Sequence, residues 1–193
     1  MDTKILHEIN HAINLIWEHD IKNDYSNNYL LKEDTLKNAL YFHIRNRLGV
    51  LLDKYNIRIF TEFNNDKFTG TGYRADMVLA VIDDDSDKEF LGDCIKEYLC
   101  IIELKYKGEV FSAVEPICED FTKTKNYIEN MNLGNPQYYI ATIWEYPDAK
   151  TAWLDEWKDR TNTPDASWAK GKLTELNASY DKDGEMRFYV ISH

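Results

Sequence analysis

Apolar residues at the start of the chain recur every three or four positions: Ile5, Ile9, Ala12, Ile13, Ile16 and Ile21. That spacing places them on one helical face, so residues 3 to about 21 read as an amphipathic helix, ended by the polar run Asn23, Asp24, Ser26, Asn27 and Asn28. A second stripe, Leu36, Leu40, Ile44, Leu48 and Leu51, predicts another helix. Glu33 and Asp34 sit at its start, where carboxylates suit the positive end of the helix dipole. From Asn56 the period falls to two. Ile57, Ile59, Thr61 and Phe63 alternate with Arg58, Phe60 and Glu62, the pattern of a strand. A turn over residues 64–67 leads to a second strand from Tyr73 to Val81, antiparallel to the first if the two form a hairpin. After an acidic loop comes a largely apolar third strand, Tyr98 to Tyr106.

Residues 112–131 return to helical spacing, with Val114, Ile117, Phe121, Thr124 and Tyr127 on the repeat, and Gly134 and Pro136 stop the helix. Tyr138 to Trp144 is a fourth strand, residues 151–160 form a weaker, tryptophan-rich helical stretch, and Asp181-Lys182-Asp183-Gly184 closes a final hairpin ending in Phe188 to Ile191. The order is α-α-β-β-β-α-β followed by a small α/β appendage. The pattern therefore predicts an α/β protein with a mixed central sheet flanked by helices. At 193 residues and 44% hydrophobic, the chain has material for one sizeable core. It reads as a single domain with a core at about 33–144, a helical N-terminal extension at 1–32 and a Trp-rich C-terminal appendage at 145–193.

Composition narrows the classes. No run approaches the ~20 apolar residues of a membrane span, and the first residues lack the pattern of a signal peptide, so a soluble, cytoplasmic protein is expected with no membrane partner. Cys94, Cys100 and Cys118 form no CxxC pair and read as small hydrophobes of a reduced compartment. The net charge of −11 argues against an autonomous duplex binder, which carries a basic face to neutralise phosphates. It leaves room for an acidic metal site, because a bound divalent cation offsets its ligands.

One short motif stands out by its context. Glu103-Leu104-Lys105 lies within the apolar run Leu99 to Tyr106, where a period of two puts Glu103 and Lys105 on one face of the strand and Ile102 and Leu104 on the other. Glu156-Trp157-Lys158 has the same ExK form but falls in a helical stretch, where its charges diverge. Charges on an apolar strand cost stability unless they are paired, solvated or metal-bound, and Asp76 repeats the feature one strand earlier, among Met77, Val78, Leu79 and Val81.

From Glu33 to Trp144 the chain resembles the PD-(D/E)XK, or restriction-endonuclease-like, phosphodiesterase superfamily: a helix opening with Glu, a strand, a strand bearing Asp, a strand bearing ExK, and a helix. Ala75 stands where the name-giving proline would be. The resemblance implies a nuclease that hydrolyses phosphodiester bonds, DNA foremost, in a defence or mobile-element system. It implies Asp76, Glu103 and Glu33 as ligands of Mg²⁺ or Mn²⁺, and Lys105 as the residue that orients or deprotonates the attacking water. Glu62 is the rival fourth carboxylate. On the following helix Asp120 and Lys123 share a face and are candidate substrate-binding residues, Lys123 for phosphate, although a surface ion pair would look the same. The competing expectation is a non-catalytic acidic protein that binds a protein partner, pairs with a second copy or mimics nucleic acid.

Other patterns carry less. Asp83, Asp85 and Asp87 alternate like an EF-hand loop but lack its glycine and its closing glutamate. His7 and His11 share a helical face with no third ligand in view. Trp144, Trp153, Trp157 and Trp168 are expected in the core, with stacking on bases as the alternative.

Overall fold

The computed structural model describes residues 2–65, 67–68, 72–83, 88–108, 114–146 and 152–193. The first amphipathic pattern becomes α1 (Thr3–Leu15), which runs on through a π-helical stretch, Ile16–Ile21, into α2 (Lys22–Ser26). The second becomes α3 (Glu33–Lys54), whose buried stripe is Leu36, Leu40, Ile44, Leu48 and Leu52. Its start is fixed locally, because the Thr35 hydroxyl accepts hydrogen bonds from the N–H groups of Leu31 (2.9 Å) and Lys32 (3.0 Å).

The remaining strands and α-helices are β1 (Ile57–Phe63), β2 (Ala75–Ile82), β3 (Ile95–Lys107), α4 (Glu115–Asn130), β4 (Gln137–Trp144), α5 (Trp153–Thr161), β5 (Leu173–Tyr180) and β6 (Met186–Ser192). The strands form one six-stranded sheet in chain order. β1, β2 and β3 pair antiparallel, β3, β4 and β5 pair parallel, and β6 returns antiparallel to β5. Parallel neighbours need crossovers, and α4 and α5 supply them.

Both faces of the sheet are covered. On one, Met77, Leu79, Ile102, Leu104, Ala141 and Ile143 pack with the apolar stripes of α1 and α3. On the other, Val78, Ala80, Ile101 and Ile140 pack with Ile117, Phe121 and Tyr127 of α4 and with Trp153, Leu154 and Trp157 of α5. Trp144 and Trp168 join this second cluster, so the tryptophans are packing residues. Among the described residues no helix is long and apolar enough to cross a membrane.

The sequence pattern sets the C-terminal segment apart as an appendage, but the structure does not. β5 pairs β4 from Tyr138↔Leu173 to Trp144↔Ser179 and carries the sheet onward. The segment hides this because Thr174, Glu175, Asn177 and Ser179 interrupt its apolar residues, although all four are buried. The alternation Asp83, Asp85, Asp87 falls mostly outside the described residues, and His7 and His11 are exposed with stacked rings 6.4 Å apart.

Candidate active site

Asp76 opens β2 and Glu103 lies in β3, and the register Met77↔Ile102 makes them neighbours across the antiparallel pair. Asp76 is anchored by the backbone, its Oδ2 accepting from the Leu104 N–H at 2.8 Å. Glu103 and Lys105 both point to the α4 face. Glu103 is 1% exposed, and its oxygens accept from Lys123 Nζ at 2.6 Å and from the Tyr127 hydroxyl at 3.1 Å. Lys105 Nζ lies 3.2 Å from Asp120 Oδ2 and 3.5 Å from Glu33 Oε2. The six residues singled out in the sequence thus come together: Glu33 from α3, Asp76 from β2, Glu103 and Lys105 from β3, Asp120 and Lys123 from α4.

Glu33, Asp76, Lys105 and Lys123 line a cleft of about 650 Å³ together with Arg74 and Tyr73, among others, while Glu103 and Asp120 are buried. Arg74, on its wall, belongs to a second ionic group. Lys37, one turn beyond Glu33, pairs with Glu62, and Arg74 NH2 lies 2.6 Å from the other Glu62 oxygen. Glu62 occupies the left-handed region at φ 53°, and the β1–β2 register passes from Thr61↔Met77 to Phe63↔Ala75 around it. A glutamate rarely adopts that conformation. Glu62 is therefore held in a cationic clamp on the β1 side, while Glu33 lies at the cleft beside Lys105.

The electrostatics follow from crowding acids into a dry place. Burial pushes the Glu103 carboxyl well above the usual range. Lys123 opposes the shift, and Asp76 and Asp120 reinforce it. Asp120 is raised to about 6, first by burial, against the pull of Lys105 and Lys123. Burial works against the Lys105 ammonium, but Asp120, Glu33 and Asp76 outweigh it and the net shift is upward. Lys105 is accordingly held as a cation. Burying an ionised carboxylate costs several kcal/mol, more than the ~1.5–3 kcal/mol returned by any one apolar neighbour on β3.

The donor set is chemically suited to a hard divalent ion, since Asp76, Glu103, Asp120 and Glu33 offer only carboxylate oxygens. Asp120 Oδ2 is buried and in ion contact with Lys105. Among the described residues no group of three or more His, Cys, Asp or Glu side chains is arranged to hold a metal. Mg²⁺ commonly takes only one or two carboxylates together with substrate phosphate oxygens, the number that Asp76 and Glu103 would supply. Lys123 stands at the Glu103 oxygen as its counter-charge.

Sequence reasoning passed over Tyr127, Lys37 and Arg74. Tyr127 follows Asp120 and Lys123 on one helical face, and Lys37 follows Glu33 by four, so helical spacing was the available signal for both. Nothing local marks Arg74. No protein-family model, no curated protein and no solved structure matches the chain.

Proposed function

We propose that the protein is a Mg²⁺- or Mn²⁺-dependent phosphodiesterase of the PD-(D/E)XK type that hydrolyses nucleic acid, DNA foremost. The observation that carries this reading is the adjacency of Asp76 and Glu103 across β2 and β3, with Lys105 two residues on and facing the same helix. When bound, the ion supplies positive charge for a phosphate oxygen and acidifies a water.

The protein's own groups have separate tasks in this reading. Asp76, fixed by the Leu104 N–H, and Glu103 hold the ion. Glu33, beside Lys105 at the cleft, extends the ligand set. Lys105 orients or deprotonates the nucleophile and stabilises the charge that develops on phosphorus. Asp120, paired with Lys105, is the candidate for contact with the substrate. Lys123, on the cleft wall, would meet phosphate.

One observation favours the second reading, an acidic interaction protein without catalysis. Each cation at the cleft already has a carboxylate partner: Lys37 and Arg74 with Glu62, Lys105 with Asp120, Lys123 with Glu103. Calorimetric titration with Mn²⁺ separates the two. The wild type and Lys105→Ala should bind the ion, and Asp76→Ala should not, because it loses a ligand. A wild type that takes up no ion, with or without nucleic acid present, moves the reading to the interaction protein.

A further inference from the structure

The cleft does not stop at Lys123. Between α4 and α5 lies a second cavity of about 700 Å³ that shares Tyr73 and Lys123 with the first. Its volume is in the ~300–1,000 Å³ range of ligand sites, yet its walls are unsuited to a phosphate. Arg160 is neutralised from two sides, donating to Glu156 Oε1 at 2.6 Å and to Glu115 Oε1 at 2.8 Å. Glu115 and Glu119, both exposed, and the buried Asp120 add acceptors around it. The inner wall is tied by hydrogen bonds. The Trp157 indole N–H donates to Thr122 Oγ1 at 2.9 Å, and the Thr122 hydroxyl donates to the Cys118 carbonyl at 3.1 Å. Tyr73, at the junction of the two cavities, is braced edge-on against Tyr127, with centroids 5.8 Å apart and planes at 87°.

A flat, uncharged group with N–H donors for the carboxylates and a face for Tyr73 matches this wall. We infer that the second cavity receives a nucleobase of an unpaired strand whose adjoining phosphate lies in the cleft at Asp76 and Lys105, which makes single-stranded nucleic acid the substrate. This rests on the phosphodiesterase reading. A base within a duplex enters a side cavity only after it is unpaired and unstacked, at a cost of a few kcal/mol. Charge points the same way. A duplex presents one negative charge per ~1.7 Å of axis, and a chain of net charge −11 whose cleft cations are all paired has little to set against it.

The test is fluorescence anisotropy with Ca²⁺ in place of Mg²⁺, using one labelled sequence as unpaired DNA, as unpaired RNA and as duplex DNA. The unpaired forms should bind at least ~10-fold more tightly than the duplex, and Tyr73→Leu should weaken them about 10-fold while Tyr73→Phe, which keeps the ring, binds normally. The DNA and RNA arms report which backbone is preferred. Should Tyr73→Leu fail to fold, Thr161→Trp fills the cavity from the exposed end of α5 and should cause the same loss. Tight, Tyr73-dependent binding of the unpaired strand without hydrolysis in Mg²⁺ upholds the base site and overturns the catalytic reading. Hydrolysis accompanied by equal or tighter duplex binding, or by variants that bind as the wild type does, overturns the base site and leaves catalysis standing. Neither binding nor hydrolysis overturns both.

Discussion

Two glutamates are buried in the same row of the sheet with one strand between them: Glu103 pairs with Ile140, and Ile140 pairs with Glu175. Both are essentially inaccessible, at 1% and 0% exposure. Glu175 is surrounded by donors. It accepts from the N–H groups of Trp153 (2.6 Å) and Leu154 (3.1 Å) at the start of α5 and from the Asn177 amide (2.7 Å), and His193 Nε2 lies 2.7 Å away. Its charge caps a helix. Glu103 has one ammonium and one phenol, and two further carboxylates close enough to push its pKa up. Burial alone, then, does not mark a site. What distinguishes Glu103 is burial with repulsive neighbours, an arrangement that a divalent ion relieves.

The contrast breaks most visibly under mutation of the cap. Glu175→Ala leaves two helix N–H groups, Asn177 and His193 without their common acceptor and should destabilise the fold by roughly 3–5 kcal/mol, the scale for breaking a buried charge network. Urea unfolding at neutral pH measures it. A loss below about 1 kcal/mol would mean the cap is not structural and would dissolve the comparison. Glu103→Gln should do the reverse. It removes repulsion along with the Lys123 pair, so stability should move by no more than about 1 kcal/mol, while metal-dependent hydrolysis should fall at least ~100-fold.

Titration sharpens the point. Asp120 holds its proton to about 6 in the folded chain against 3.8 as the ordinary value. The folded state therefore binds the extra proton between these values, and the stability it contributes is complete below 3.8 and is lost as pH rises through about 6. Asp120→Asn cannot titrate, so its thermal stability should fall less than that of the wild type over this window. Parallel curves for the two proteins would refute the raised carboxyl. The smallest effect is expected at Tyr127→Phe, which deletes one hydrogen bond to Glu103 and should cost about 0.5–1.5 kcal/mol in unfolding experiments.

The two glutamates also differ in how far sequence reveals them. Glu103 is visible because a lone acid in the apolar run Leu99 to Tyr106 is conspicuous, and because Lys105 follows at strand spacing with Asp76 one strand before. Glu33 is visible as the acid that opens a long amphipathic helix. Glu175 is not, since its strand alternates Thr174, Glu175, Asn177 and Ser179 with apolar residues and looks half solvated, while the donors that justify its burial come from α5 and the last residue of the chain. The same non-local pairing conceals that β5 and β6 extend the sheet. Arg74 and Lys37 escape notice for a related reason, because the meaning of each depends on Glu62, which a backbone irregularity in β1 brings to them.

The most direct test of the Glu103 end as a catalytic centre is hydrolysis itself. Purified protein is incubated with Mg²⁺ or Mn²⁺ and labelled single- and double-stranded DNA and RNA, beside Lys105→Ala. Metal-dependent cleavage by the wild type, reduced at least ~100-fold by Lys105→Ala with metal affinity retained, is the predicted result. Cleavage that survives Lys105→Ala undiminished, or a wild type that binds the ion and cuts none of the four substrates, would contradict it.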